Sequence, residues 1–242
     1  MQHSVWIGWD SREASAFAVA RQSCRRYMTR PIPIKGLVLA DLIKEGIYRR
    51  PMEMRPSAAD RPAMWDVISN YWQSTEHANS RFLVPYIARE GWALFCDGDM
   101  MFRGNVARLF EKLDPKYAVY CVKHRYDPGE GIKMDGQAQS SYSRKNWSSF
   151  VFFNCDHPAN ACLRNSTDMA NTLPGRDLHR FCWLQDDEIG ELDPSWNWLV
   201  GHSDPAIKPN VIHFTEGLPD MPGYENVPYA DEWRSELIRW AA

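Results

Sequence analysis

Two carboxylates separated by one glycine, Asp97-Gly98-Asp99, close the apolar run Trp92-Ala93-Leu94-Phe95-Cys96. Acids at i and i+2 on a turning chain can face one divalent cation. Such an ion would bridge two phosphate oxygens and stabilise a nucleoside diphosphate as it leaves. The same tripeptide is good turn chemistry, so alone it marks a polar turn as readily as a metal site. His213 ends a second apolar run, Val211-Ile212-His213-Phe214, and a neutral imidazole there would make a third ligand for Mn²⁺ or Mg²⁺. A lone histidine after a strand is more often a hydrogen-bonded core residue; only its combination with the acids points to a metal.

Arg81 precedes Asp97 by 16 residues, and its guanidinium could grip a diphosphate or sugar hydroxyls in bidentate fashion, where a surface ion pair is the plainer use. Gly8-Trp9-Asp10 ends the first apolar run and could accept a nucleobase, with Asp10 taking an N–H and Trp9 stacking. Its single glycine is not the G-x-G-x-x-G of a dinucleotide fold. Gln185-Asp186-Asp187-Glu188 follows the apolar Phe181-Cys182-Trp183-Leu184 and would either approach a sugar or open a solvated helix, where acids suit the dipole.

Positioning these residues requires strands that end together. Val5 to Asp10 reads as a buried strand, Glu13 to Tyr27 as a helix with Ala16, Phe17, Ala20 and Cys24 on one face, and Ile32 to Leu39 as a second strand. Strand, helix, strand opens a parallel α/β sheet, in which ligands bind at the carboxyl ends of the strands. Ser80 to Ala88 suits a helix despite Pro85, and Gly91 stops it before the strand at 92–96. Tyr117 to Val122 and Ser149 to Phe153 supply two more strands, and the last third alternates Trp- and Pro-rich loops with short apolar pieces. Residues 46–64, rich in Pro, Met and Arg without a clear period, read as a loop over the sheet edge.

A chain of 242 residues with 11 tryptophans is long and apolar enough for one α/β domain with a sizeable core. Its net charge of −3 argues against nonspecific attraction to nucleic acid or membrane, though not against a local basic patch. The N-terminal segment carries no basic-then-apolar leader, and no apolar run is long enough to span a bilayer. Six cysteines without a C-x-x-C pair suit a reducing compartment, so a cytoplasmic protein is expected.

Taken in order, these stretches resemble small bacterial and phage glycosyltransferases of the GT-A fold, related to the retaining glycogenin and lipopolysaccharide galactosyltransferase family. The resemblance runs over Ile7-Gly8-Trp9-Asp10-Ser11-Arg12-Glu13, Ser74-Thr75-Glu76, Ser80-Arg81-Phe82-Leu83-Val84-Pro85 and Gly91 to Met100. It continues through Cys121-Val122-Lys123-His124, Arg144-Lys145-Asn146-Trp147-Ser148-Ser149, Leu178-His179-Arg180-Phe181, Trp196 to Gly201 and His213-Phe214-Thr215-Glu216-Gly217. It implies that Asp97, Asp99 and His213 hold the metal, that Asp10 and Arg12 belong to the loop holding a uracil, and that Arg81 lies near the donor sugar and phosphate. Gly8, Trp9, Gly98, Lys145 and Asn146 join the donor-binding set, and Gln185, Asp186 and Asp187 match the segment beneath the reacting face of the sugar. The wider family carries a lysine soon after the metal histidine to neutralise diphosphate. Here Glu216, Leu218 and Asp220 occupy that tract, so another cation must do that work.

The resulting expectation is a single GT-A, Rossmann-like domain over residues 1–242, a mostly parallel sheet with helices on both faces. Residues 1–122 would form the nucleotide-sugar half and 123–242 the acceptor side. The activity implied is metal-dependent transfer of a hexosyl group from a UDP-sugar to a hydroxyl of a glycan or glycolipid, with retention. Two alternatives stand beside it. Basic residues gather at Arg25-Arg26, Arg49-Arg50 with Arg55 and Arg61, Lys123-His124-Arg125 and Arg144-Lys145 beside Trp147, and the middle clusters could line one groove and serve hydroxymethylated DNA bases. A non-catalytic nucleotide-sugar-binding protein would keep the acids and Asp10 without an acceptor surface. Oligomeric state is not legible in the sequence.

Overall fold

In the computed structural model, residues 2–57, 62–124, 131–132, 138–139, 144 and 146–241 are described. The chain begins with strand β1 (Ser4–Gly8), helix α1 (Ala14–Tyr27) and strand β2 (Ile34–Leu37). Three short strands follow, β3 (Met52–Arg55), β4 (Ala63–Asp66) and β5 (Tyr71–Trp72), then β6 (Trp92–Cys96), β7 (Met100–Phe102) and β8 (Val119–Cys121). After a two-residue pair, β9 (Gly131–Ile132) and β10 (Ala138–Gln139), come β11 (Phe150–Asn154), β12 (Ile189–Glu191), β13 (Trp198–Leu199) and β14 (Val211–His213), and a last helix spans Ala230–Ala241.

The main sheet has the order β12-β8-β11-β6-β1-β2, and β11 alone runs against its neighbours. Strands buried on both faces read as near-continuous apolar runs, and β1, β6 and β11 do so apart from Ser4 and Asn154 at two strand ends. Their alternate residues feed two cores. Val5, Ile7, Leu94, Cys96, Phe150 and Phe152 pack with Ala20 and Cys24 of α1. Trp6, Ala93, Phe95, Val151 and Phe153 pack on the other side against Phe82, Leu83, Val84 and Leu178. The α/β layering with helices on both faces agrees with the sequence expectation. Strands from both sides of residue 122 share this sheet.

Pro85 sits in the first turn of the helix Val84–Ala88, after a 3₁₀ turn at Ser80–Leu83, where its missing N–H costs nothing. Arg89 and Gly91 then turn the chain at positive φ, and at Gly91 a Cβ would lie 2.3 Å from the Gln2 carbonyl oxygen.

One expectation is corrected. Much of the segment read as a loop over 46–64 belongs to the antiparallel meander β3-β4-β5. Its strands are too short to show a period, and its fold is set by long-range contacts. Asp66 is buried and accepts from Arg50, Ser69 and, at 3.1 Å, Asn79 Nδ2. The Arg50 guanidinium also donates to the carbonyls of Ala170 and Leu173 at 2.9 and 2.7 Å, tying the meander to a distant part of the chain. Among the described residues no helix is long and apolar enough to cross a membrane.

Candidate active site

Strands β1 and β6 are adjacent and parallel, Ile7 beside Cys96, so Gly8 and Asp97 leave the sheet at one edge. Gly98 turns against the end of β1, and a Cβ there would sit 2.5 Å from the Gly8 carbonyl oxygen. This glycine is needed for close approach of backbone to backbone. The chain then returns as β7, which pairs antiparallel with β14 and sets His213 opposite Met100. The amide of Phe214 donates to the Asp99 carbonyl at 3.0 Å and that of Asp97 to the Ser149 carbonyl at 2.9 Å. Asp97, Asp99 and His213 thereby converge, their ligand atoms all within 4.8 Å of one another.

Hydrogen bonding around His213 decides which nitrogen faces the acids. Ser149 Oγ donates to the Asn146 carbonyl at 2.6 Å, and a carbonyl can only accept. The Ser149 oxygen therefore accepts from Asn197 Nδ2 at 2.9 Å, leaving Asn197 Oδ1 to accept from His213 Nδ1–H at 3.0 Å. The Nε2 lone pair then points at Asp99 Oδ1, 3.3 Å away. That oxygen is buried and accepts no hydrogen bond among the described residues. Two acceptors facing each other repel unless a proton or a metal cation lies between them, and the O,O,N donor set suits Mn²⁺ or Mg²⁺, with the imidazole favouring Mn²⁺. Asn197→Leu is accordingly expected to weaken Mn²⁺ binding about 10- to 100-fold, the usual cost of losing an outer-shell partner. Calorimetric titration with Mn²⁺ checks this, and unchanged affinity would remove Asn197 from the site.

Asp97 is braced from behind. Burial pushes its pKa up, but the Arg81 guanidinium at 2.8 Å and His77 outweigh this and hold it well below the usual carboxylate range. Arg81 is itself buried. It donates to the carbonyls of Ala78 and Ser148, both at 2.9 Å, and lies over the Phe95 ring. It thus fixes Asp97 as well as lining the cleft. Glu13, at the mouth of α1, is pushed up to about 7 by burial and by the charges of Asp99 and Asp10. Four carboxyl groups line the cleft, Glu13, Asp97, Asp99 and Glu216, and the negative field they make is one that a bound cation would relieve. The cavity is about 280 Å³, near the lower end of ligand pockets of ~300–1,000 Å³.

The nucleobase reading of Asp10 and Trp9 changes. Asp10 is 2% exposed and its four acceptor positions are taken. Oδ1 accepts from the Arg12 amide and Nε at 3.0 and 2.8 Å, and Oδ2 from Arg12 Nη2 and the Glu76 amide at 2.6 and 3.0 Å. No lone pair remains for a base, and burial of the carboxyl is outweighed by Arg12, which holds its pKa down. Asp10 positions Arg12, and Arg12 is the residue that lines the cleft. The Trp9 ring meets Phe17 edge-on at 5.1 Å and is not among the lining residues. At Gly8 a Cβ would strike His77 at 2.5 Å, so this position serves packing.

Asn146 lines the cleft from a left-handed turn at φ 62°, whereas Lys145 lies outside the described residues. Gln185, Asp186 and Asp187 are exposed and do not line the cleft. Gln185 and Glu188 form a capping box on the 3₁₀ turn Asp186–Glu188, and Asp186 pairs with Arg144. The solvated-turn alternative describes their placement. In their stead the cleft holds His179, on the short helix Gly175–His179, and Ser148, two residues not singled out for chemistry by sequence reasoning. The signal available was only their position inside stretches that carried the resemblance.

No family model matches the chain. The fold is that of GT-A glycosyltransferases. The galactosyltransferase LgtC, solved in complex with donor and acceptor sugar analogues, superposes with a TM-score of 0.58 at 12% identity, covering 98% of this chain and 95% of that one. The glycosyltransferase GlyE of Streptococcus pneumoniae gives 0.60 at 13%, over 99% of this chain and 62% of its own. The bifunctional glycosyltransferase WbbM gives 0.55 at 14%, over 96% and 51%. The chain thus spans between half and two thirds of the latter two. It is 38% identical over 239 residues to Protein CDI of Arabidopsis thaliana, across 96% of this chain and 85% of that protein, and belongs to the same family.

Proposed function

We propose that the protein is a metal-dependent glycosyltransferase that moves a hexosyl group from a UDP-sugar to an acceptor hydroxyl, with retention of configuration. The observation that carries this reading is the convergence of Asp97, Asp99 and an Nε2-presenting His213 at the carboxyl edge of a parallel sheet. These three residues would hold Mn²⁺ or Mg²⁺, which would supply charge stabilisation for the departing diphosphate. Arg81 keeps Asp97 ionised and in place, and Arg12, oriented by Asp10, offers a guanidinium to the nucleotide. No lysine lines the cleft among the described residues, and Glu216 in the tract after His213 is paired with His202 at 2.6 Å. Lys145, next to the lining Asn146, is our candidate for the remaining diphosphate cation. Residues 1–242 act in this reading as one domain, in the cytoplasm, where six unpaired cysteines are at home.

A glycan or glycolipid hydroxyl is the acceptor we favour. The DNA alternative required the basic clusters to line one groove. Instead Arg26 pairs with Glu236, Arg49 with Asp168, Arg50 with buried Asp66, Arg55 with Glu53 and Arg144 with Asp186; Arg61 and Arg125 lie outside the described residues. Incubation with Mn²⁺, a panel of UDP-sugars and a glycan mixture tests the reading. The expected results are UDP release that stops in EDTA, and a product whose anomeric configuration by NMR matches that of the donor. UDP-sugar binding without UDP release or transfer would instead favour the non-catalytic binder.

A further inference from the structure

The wall of the cleft beside Arg81 carries a second polar pair, Ser148 and His179. Ser148 Oγ lies 2.7 Å from His179 Nδ1. Among the described residues the Ser148 hydroxyl proton has no other acceptor, which assigns it to Nδ1 and the ring proton to Nε2. Three contacts hold the pair rigidly. The Ser148 carbonyl accepts from Arg81 Nη1, the His179 ring meets Phe82 edge-on at 5.2 Å, and the helix bearing His179 begins at Gly175, whose amide donates to Ser69 Oγ at 2.8 Å. Burial and the neighbouring Arg81 push the His179 pKa down to about 3, so the imidazole is neutral at physiological pH.

A neutral N–H beside Arg81, which is itself committed to Asp97, is suited to a hydroxyl oxygen. It is poorly suited to a phosphate, which calls for a cation. Resting on the donor reading above, we infer that His179, oriented by Ser148, is a specificity-determining residue that donates from Nε2 to a hydroxyl of the donor hexose. A donor lacking that hydroxyl, or carrying it as the wrong epimer, leaves a shielded N–H without a partner. The expected discrimination is about 10- to 100-fold.

The test measures Mn²⁺-dependent binding of UDP, UDP-glucose, UDP-galactose and UDP-N-acetylglucosamine to the full chain and to the His179→Ala and Ser148→Ala variants. His179→Ala should bind UDP within about twofold of wild type while losing at least tenfold for the preferred UDP-sugar. Ser148→Ala should keep UDP binding and lose less for the sugar, because Nε2–H is no longer the enforced tautomer. Nitrogen-15 NMR of wild-type His179 should show Nε2–H. An Nδ1–H tautomer, equal losses for UDP and UDP-sugar in both variants, or no loss in either, would overturn the inference. Failure of wild type to bind UDP would overturn the donor reading itself, and with it this assignment.

Discussion

Asp99→Ala should lower sugar transfer by about 10³-fold or more while leaving a folded protein. The loss corresponds to roughly 4 kcal/mol of transition-state stabilisation, a reasonable share for one ligand of a Lewis-acid cation that acts on a leaving diphosphate. Stability is spared because, among the described residues, Asp99 Oδ1 accepts no hydrogen bond. Asp99 is held by its own carbonyl, which accepts from Phe214 and survives the substitution. Removing Oδ1 also relieves its repulsion with His213 Nε2, 3.3 Å away, so thermal stability should stay within about 1 kcal/mol of wild type. Steady-state transfer assays with added Mn²⁺, alongside thermal denaturation, read both quantities. Near wild-type transfer by the variant, or full wild-type activity in EDTA, would exclude the metal centre.

Arg81→Met should cost about 3–5 kcal/mol of stability, the scale for stranding one charge of a buried ion pair. Methionine fills the volume over Phe95 but returns nothing to Asp97, nor to the carbonyls of Ala78 and Ser148. The pH response should reverse as well. In wild type the Asp97 pKa is depressed, so its contribution is present above the unfolded carboxylate value of ~3.9 and is lost as pH falls through the lower folded value. Without Arg81, burial is opposed only by His77 and His213, and the folded pKa is expected to rise above the unfolded one. Stability then falls as pH rises through ~4, because the native state binds the extra proton. Urea denaturation in EDTA at pH 4 and pH 7 should find the variant relatively better off at pH 4. A variant as stable as wild type at pH 7 would show that the pair does not hold Asp97.

Comparison of sequence and structure divides along the range of the interactions involved. Continuous apolar runs such as Trp92 to Cys96 and Phe150 to Phe153 announced strands buried on both faces, and the helical spacing of Ala16, Ala20 and Cys24 announced α1. Each is a local pattern with its own period, so the α/β class and the sheet edge bearing Asp97 and Asp99 were legible before any coordinates. The acid pair could be read because both acids lie on one turn.

What the sequence left open depended on partners far along the chain. The meander of β3 to β5 shows no period, because its strands are short and buried Asp66 holds it to Arg50, Ser69 and Asn79. That Asp10 spends its carboxylate on Arg12 and Glu76, and that Asp186 faces Arg144 and not the cleft, are matters of how side chains share hydrogen bonds once folded. His179 enters the cleft only because the helix bearing it docks beside Ser148, 31 positions earlier. By itself the sequence determined the central buried strands β1, β6 and β11 and the acids that end the first two of them. Only the tertiary structure decided that His213 presents Nε2, since that choice passes through Asn146, Ser149 and Asn197, and a chain of donors and acceptors has a direction only when all its members are in place.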